Sequence, residues 1–401
     1  MNTTALLARC RAVDPEPIAA LTTRMLEIWS PPGREAEMAV LAAGALVEAG
    51  AQEVQIDSEF PESPSVIAWL RSGKPGPTIQ WHGHLDAIAT AHTPVRRIGD
   101  VLYGRGASDM KGALAAEIEA VKLLRAAGLP KRGSVLITFH GLHEEGRSAP
   151  LHRLIERGIH GDAVIIGELG SPTELITSGR GLTFWDMEIT RPGEPVHEQN
   201  APADTVHPVR TTRVLLDRLL DLADAIAAGD ATPRGSLVVG QVNAGDYYNR
   251  VPNRALISGT RRHHAEANLD QVRHQLVRLA EDVARTTGAT IEPRIHSLIE
   301  AYEISPDARI ARALRRANGD ITGQAMASIP SRAVGNAADF VREAGIPAVY
   351  YGCNYATAHS DEETVAVADL ARVAAVFAMT TAHYLDAAAD IDAPPLLGSP
   401  T

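Results

Sequence analysis

The chain has 401 residues, too many for one ordinary hydrophobic core, so two domains are expected. Its 38 basic residues face 49 acidic ones, a formal net charge of −11 that argues against nucleic acid or an anionic membrane as the main partner. Two cysteines, Cys10 and Cys353, cannot form a disulfide framework. Arg9, Arg11, Asp14 and Glu16 precede any run long enough for a signal peptide, and no stretch approaches the apolar length of a membrane span. A cytoplasmic protein is expected.

Two helical patterns open the chain. The first carries Ile18, Leu21, Met25, Leu26 and Trp29 and stops at Ser30-Pro31-Pro32-Gly33; the second covers 35–49 and ends at Gly50. Short strands are expected at 53–56 and 65–70. The turn from Ser72 to Pro77 leads into an apolar strand at 78–81, which delivers His84 and, two residues on, Asp86. Residues two apart in an extended chain share a side, so Asp86 can stand behind His84 and orient it, as carboxylates do for metal-bound imidazoles.

A glycine-rich turn, Gly104 to Gly112, then presents Asp109 ahead of a helix at 110–127 that Gly128-Leu129-Pro130 terminates. A buried strand at 134–139 leads to His143-Glu144-Glu145-Gly146. A helix at 150–157 is followed by an apolar strand at 162–167 that ends in Glu168. Strands alternating with helices imply an α/β domain with a mainly parallel sheet, whose sites lie at the carboxyl ends of strands.

The pattern changes from about 179 to 296. A half-exposed strand at 183–190 precedes a helix at 211–227, strands at 236–244 and 254–262, a helix at 269–287 and a strand at 290–297. This is the order of a ferredoxin-like α+β unit. It reads as an insertion, because helices at 307–317 and 337–344, a strand at 348–352, a loop holding His359 and a final helix at 367–387 resume the first pattern. The expected organisation is a catalytic domain from 1–178 and 297–390, an inserted domain at 179–296, and a disordered Pro- and Gly-containing tail at 391–401.

Taken singly, a histidine at a strand end is more often structural than a ligand, and a Glu-Glu pair is usually a solvated turn. Gly104-x-Gly106 lacks the third glycine of a dinucleotide site, and Asp109 would repel pyrophosphate. Cys353 near His359 lacks any oxyanion device and is read as a buried strand cysteine. The set carries more weight: His84, Asp109, Glu145, Glu168 and His359 fall at strand ends or adjoining loops. Two imidazoles and three carboxylates without thiolate suit zinc, cobalt or manganese in a catalytic site.

In Gly83-His84-Leu85-Asp86, Tyr103 to Gly112, His143 to Gly146, Ile166-Gly167-Glu168 and Ala358-His359-Ser360, in that order, the chain resembles the zinc-dependent amidohydrolases and exopeptidases. That family includes acetylornithine deacetylase, succinyl-diaminopimelate desuccinylase, carboxypeptidase G and aminoacylase, and the resemblance covers the chain up to its tail. It implies a zinc-exopeptidase catalytic domain with an inserted lid or dimerisation domain, a homodimer and two divalent ions. One ion would rest on His84 and Glu168 and the other on Glu145 and His359, with Asp109 bridging. Asp86 would orient His84, and Glu144 would be the general base.

The same resemblance gives His197 the role of stabilising the oxyanion, with His207 a rival because Glu198-Gln199-Asn200 replace the small residues that usually follow. It makes Asn249 and Arg262 contacts for a substrate carboxylate, for which a guanidinium fork is suited. Gly335 and Gly352 would line the substrate site. Asn336-Ala337-Ala338-Asp339 stands where the family usually has Gly-x-Ser-Asp, and Leu169 replaces the usual proline after Glu168. The expected activity is hydrolysis of an amide bond in an N-acyl amino acid or small peptide-like substrate. The rival expectations are an inactive, dimeric binding protein and a two-metal phosphoester hydrolase.

Overall fold

The structure is a computed structural model, and it describes residues 3–90, 94–146, 148–231, 234–331 and 333–386. The tail at 391–401 lies outside the described residues. The chain divides into two compact units, one formed by Met1–Thr177, Ile304–Pro330 and Asp339–Thr401, the other by Ser178–Glu303 and Ser331–Ala338.

The larger unit is built on a six-stranded sheet. Its strands lie in the order Gln52–Asp57, Ser65–Arg71, Ser134–His140, Thr78–His84, Ala163–Ile166, Ala348–Tyr350. The first two pairings are antiparallel and the other three parallel. The expected α/β fold with a mainly parallel sheet is therefore present. Thr78–His84 is a central strand and is buried along nearly its whole length, which is why it reads as an apolar run rather than an alternating one.

Two alanine-rich helices allow close packing on this sheet. Gly112–Ala126 buries Ala113, Ala115, Ala116 and Ala120, and Gly83 permits its approach: a Cβ there would strike the side chains of Met110 and Leu114. Val367–Asp386 is buried over most of its length. Its Phe377 meets Trp81 edge-on at 5.6 Å, and its Thr381 hydroxyl accepts the Trp81 indole N–H at 3.0 Å.

Two features differ from the sequence reading. The helix expected from Met110 begins only at Gly112, because Ala107–Lys111 forms an irregular turn in which Asp109 (φ −130°) and Met110 (φ −132°) leave helical geometry. A further helix, Thr3–Arg11, and the short strands Arg96–Ile98, Val101–Tyr103 and Thr364–Ala366 escape notice, the strands being too short to show a period.

The smaller unit has a fully antiparallel sheet in the order Gly235–Ala244, Arg254–His263, Gly181–Thr190, Thr290–Ile299. Helices Pro208–Ala228 and Leu269–Thr287 complete the expected ferredoxin-like order. Leu215, Leu219, Leu276 and Val283 from the helices form one core with Trp185, Met187 and Ile189. Asn268 and Gln271 make a reciprocal capping box at the start of the second helix, which Gly288 ends in left-handed geometry (φ 71°). Among the described residues no helix is long and apolar enough to cross a membrane.

Candidate functional site

Thr78–His84 ends with the His84 imidazole fully buried. Its Nδ1 lies 3.0 Å from the Asp86 backbone oxygen and 3.5 Å from Asp86 Oδ1. The other oxygen, Asp86 Oδ2, accepts the Glu144 backbone N–H at 2.7 Å. Asp86 thus does more than the sequence suggests: it touches His84 and also pins the Glu144 loop. Burial pushes its carboxyl up, but the hydrogen bond and charge of His84 prevail and hold it at about 2.

Asp109 is the hub. Its Oδ1 lies 3.1 Å from His84 Nε2, and its Oδ2 lies 3.0 Å from His359 Nε2 and accepts the Tyr355 hydroxyl at 2.7 Å. Burial opposes ionisation, but the hydrogen bonds from His359 and His84 keep the carboxyl well below its usual range. His359 in turn reaches Glu144 Oε1 at 3.3 Å. Its contacts with Asp109 and Glu144 raise its pKa to about 10.

The Asp109 turn is held by a residue that the sequence reading did not select. The buried Glu363 carboxylate accepts backbone N–H groups from Gly106, Ser108 and Asp109, each at 3.0 Å, and pairs with Arg105 at 3.0 Å. These bonds take the place of the first helical turn, which is the physical reason the helix starts late. Arg105 also donates to the Ser360 carbonyl at 2.9 Å, next to His359. On the opposite side Glu35 accepts the Leu142 N–H at 2.8 Å and the Ser63 hydroxyl at 2.7 Å, fixing the loop before Glu144.

Glu168 follows the strand Ala163–Ile166 and is buried, with Oε2 lacking a hydrogen-bond partner among the described residues. Burial, then the charge of Asp109 and also that of Glu144, pushes its carboxyl up to about 8. Gly352 packs against this backbone; a Cβ there would strike the Gly167 carbonyl. Leu142, Ser148, Leu169 and His359 all have positive φ, between 45° and 64°. Backbone strain of this kind gathers at functional sites.

Two sets of donor atoms that include His84 converge to within 4.8 Å of one another: His84, His143 and Glu168, and His84, Asp109 and Glu144. Nitrogen and oxygen donors at this spacing, together with an unpartnered buried carboxylate oxygen, fit divalent cations. His143 was not selected from the sequence. Its ring stacks on His84 at 4.3 Å and 17°. Glu145, by contrast, is exposed and joins neither set.

The remaining candidates lie in the smaller unit. His197 and Asn249 are brought together: Val196–His197 pairs with Arg250–Val251, and Asn249 Nδ2 lies 3.3 Å from His197 Nε2. His197 is exposed, and its Nδ1 accepts the Gln199 N–H at 3.3 Å. His207 caps the helix Pro208–Ala228, and Arg262 is half-buried on Arg254–His263. Gly335 is buried and accepts the Ala338 N–H through its carbonyl at 3.4 Å.

Residues 81–383 match the model of Peptidase family M20/M25/M40, three quarters of the chain. The chain belongs to that family. It is accordingly a hydrolytic enzyme of the metallopeptidase and amidohydrolase kind. A succinyl-diaminopimelate desuccinylase from Methylobacterium radiotolerans is 27% identical over 402 aligned residues, covering 94% of this chain and 95% of the relative. A [LysW]-lysine/[LysW]-ornithine hydrolase from Sulfurisphaera tokodaii is 25% identical, over 64% of this chain and 66% of its own.

Among solved structures, aminopeptidase PepT from Bacillus cereus superposes with a TM-score of 0.80 at 16% identity, over 93% of this chain and 99% of that one. A dinuclear metal-binding peptidase of family M20 from Bacillus subtilis gives 0.72 at 18% identity, over 93% and 98%. At such identities the superpositions show the shared fold.

Proposed function

We propose that this M20 member hydrolyses the amide bond of an N-acyl amino acid or small peptide-like substrate, using two divalent ions, zinc by preference and cobalt or manganese as substitutes. The carrying observation is Asp109, whose two oxygens meet His84 on one side and His359 on the other. That is the disposition needed of a bridging carboxylate. His84 and Glu168 would hold one ion, His359 and Glu145 the other. Glu145 is the member of the set that the geometry leaves outside, so its role rests on the resemblance alone. When bound, the ions supply Lewis acidity that polarises the scissile carbonyl and acidifies water.

Glu144 is the general base in this reading. Burial raises its carboxyl pKa against the opposing hydrogen bond from His359, which suits a group that must take up a proton and release it to the leaving nitrogen. Asp86 keeps His84 oriented and the Glu144 backbone in place. His197, beside Asn249, would stabilise the oxyanion, with Arg262 and Asn249 meeting a substrate carboxylate and Gly335 and Gly352 lining the substrate site. The edge strand Gly235–Ala244 exposes Val238 and Val242, which supports a homodimer formed through the smaller unit. The two unpaired, buried cysteines agree with a cytoplasmic location.

The test is hydrolysis of N-acetyl, N-succinyl, N-carbamoyl and dipeptide substrates by zinc-, cobalt- or manganese-loaded protein, before and after chelation. Metal-dependent cleavage that Glu144→Ala abolishes with its ions retained is the expected result. Loaded wild type and Glu144→Ala that are equally inert on every amide would sink the reading, and cleavage of a phosphodiester instead would replace it.

A further inference from the structure

Tyr355, His359 and Glu363, spaced four apart on one loop, all meet Asp109. The Tyr355 hydroxyl donates to Asp109 Oδ2 at 2.7 Å, and His359 Nε2 lies 3.0 Å from the same oxygen. The Glu363 carboxylate accepts the Asp109 backbone N–H at 3.0 Å. The loop that carries them is itself tied down. The Gly352 carbonyl accepts Arg372 at 3.2 Å, the Asn354 N–H goes to Asp369 at 3.1 Å, and the Thr357 hydroxyl oxygen accepts the Thr364 N–H at 3.0 Å.

These contacts differ in what a loaded site leaves of them. The torsion that turns a carboxylate plane is soft, so Asp109 takes its orientation from the groups bonded to it. His84 meets Oδ1, while His359 and Tyr355 meet Oδ2. An imidazole nitrogen that ligates an ion gives its lone pair to that ion and has no proton left to donate to Asp109. A phenol, with an ordinary pKa of about 10, keeps its proton at neutral pH. Each carboxylate oxygen has two lone pairs, so Oδ2 can accept that proton and still serve an ion. The Tyr355 hydroxyl is thus the side-chain hydrogen bond that persists on the Asp109 carboxylate.

We propose that Tyr355 is a positioning residue that holds the Asp109 carboxylate in the plane that serves both ions. The inference rests on the two-ion reading above and adds to it a residue to which the family resemblance gives no role. Tyr355 acts here through its hydroxyl and not through its ring. Tyr355→Phe, which keeps the ring, should therefore do as much damage as Tyr355→Ala.

The full-length wild type and both variants are stripped and titrated with zinc against a chelator. They are then reloaded with Co(II), and electron paramagnetic resonance reads the magnetic coupling that a shared carboxylate transmits between two ions. The expected result is a loss of about 10- to 100-fold in affinity for at least one ion in each variant, the usual effect of removing a group that orients a ligand. Weaker coupling should accompany it. The coupling is read on the ion pairs that do bind, so it reports on Asp109 even where a variant is less stable. Tyr355→Phe that binds two ions with wild-type affinity and coupling would overturn the proposal and leave the two-ion reading intact. A loss confined to Tyr355→Ala would also overturn it, making the ring a packing element. Wild type that takes up no second ion removes the two-ion reading itself, and this inference with it.

Discussion

The cluster around Asp109 and the patch around His197 are held by different means. In the larger unit the groups around Asp109 are backed by further contacts: Glu363 and Arg105 hold the turn, Asp86 meets His84, and Glu35 holds the loop before Glu144. The cost is a crowd of buried carboxylates, visible in the high pKa of Glu168. In the smaller unit His197 is exposed and is placed by two contacts of 3.3 Å on a two-residue strand. The first arrangement gives up stability to bring several buried carboxylates together. The second costs little to build and little to alter. Substitutions should accordingly damage metal binding and stability in the first region, and turnover alone in the second.

The largest effect is expected at Glu144. Glu144→Gln should lower kcat by about 10²- to 10⁴-fold, the usual contribution of a positioned base, with metal content unchanged. Metal loss equal to the loss of turnover would make Glu144 a ligand rather than a base. Next comes Glu363→Ala, which removes the carboxylate that pairs with buried Arg105 and accepts the Gly106, Ser108 and Asp109 N–H groups, and should cost about 3–5 kcal/mol in denaturant unfolding. A cost below about 1 kcal/mol, that of an exposed ion pair, would show that the Asp109 turn holds itself.

His197→Ala should lower kcat by about 10²- to 10³-fold, as for loss of an oxyanion donor, yet shift stability by less than about 0.5 kcal/mol. Unchanged turnover would move that role to His207, and a large stability loss would break the contrast between the two regions. The smallest effect concerns Glu117, buried in the helix Gly112–Ala126 with both carboxylate oxygens lacking hydrogen-bond partners among the described residues. Burial raises its pKa well above 4.5. The folded chain therefore keeps a proton that the unfolded chain releases once pH passes about 4.5, and wild type loses stability as pH rises from there toward the raised pKa. Denaturant midpoints of wild type and Glu117→Met, taken from about pH 5 to pH 8, should diverge with increasing pH. A constant gap would mean that this carboxylate is already charged and compensated.

The amino-acid sequence by itself determined the fold class and where chemistry had to be sought. Apolar runs ending in His84, Glu168 and the Glu144 loop mark central strands, and the ferredoxin-like order is legible in the alternation from Gly181–Thr190 to Thr290–Ile299, because burial imposes its period along the chain. Only the tertiary structure decided which side chains meet. Glu363, Tyr355, Glu35 and His143 carry no local signal, since each contributes through a partner distant in the sequence or through one loop torsion. The left-handed Leu142 and the Asp86 bond set the course of the 142–146 loop, which turns His143 and Glu144 toward the cluster and leaves Glu145 exposed. Side-chain direction in such a loop follows from backbone angles that packing enforces, and no spacing of residues encodes them.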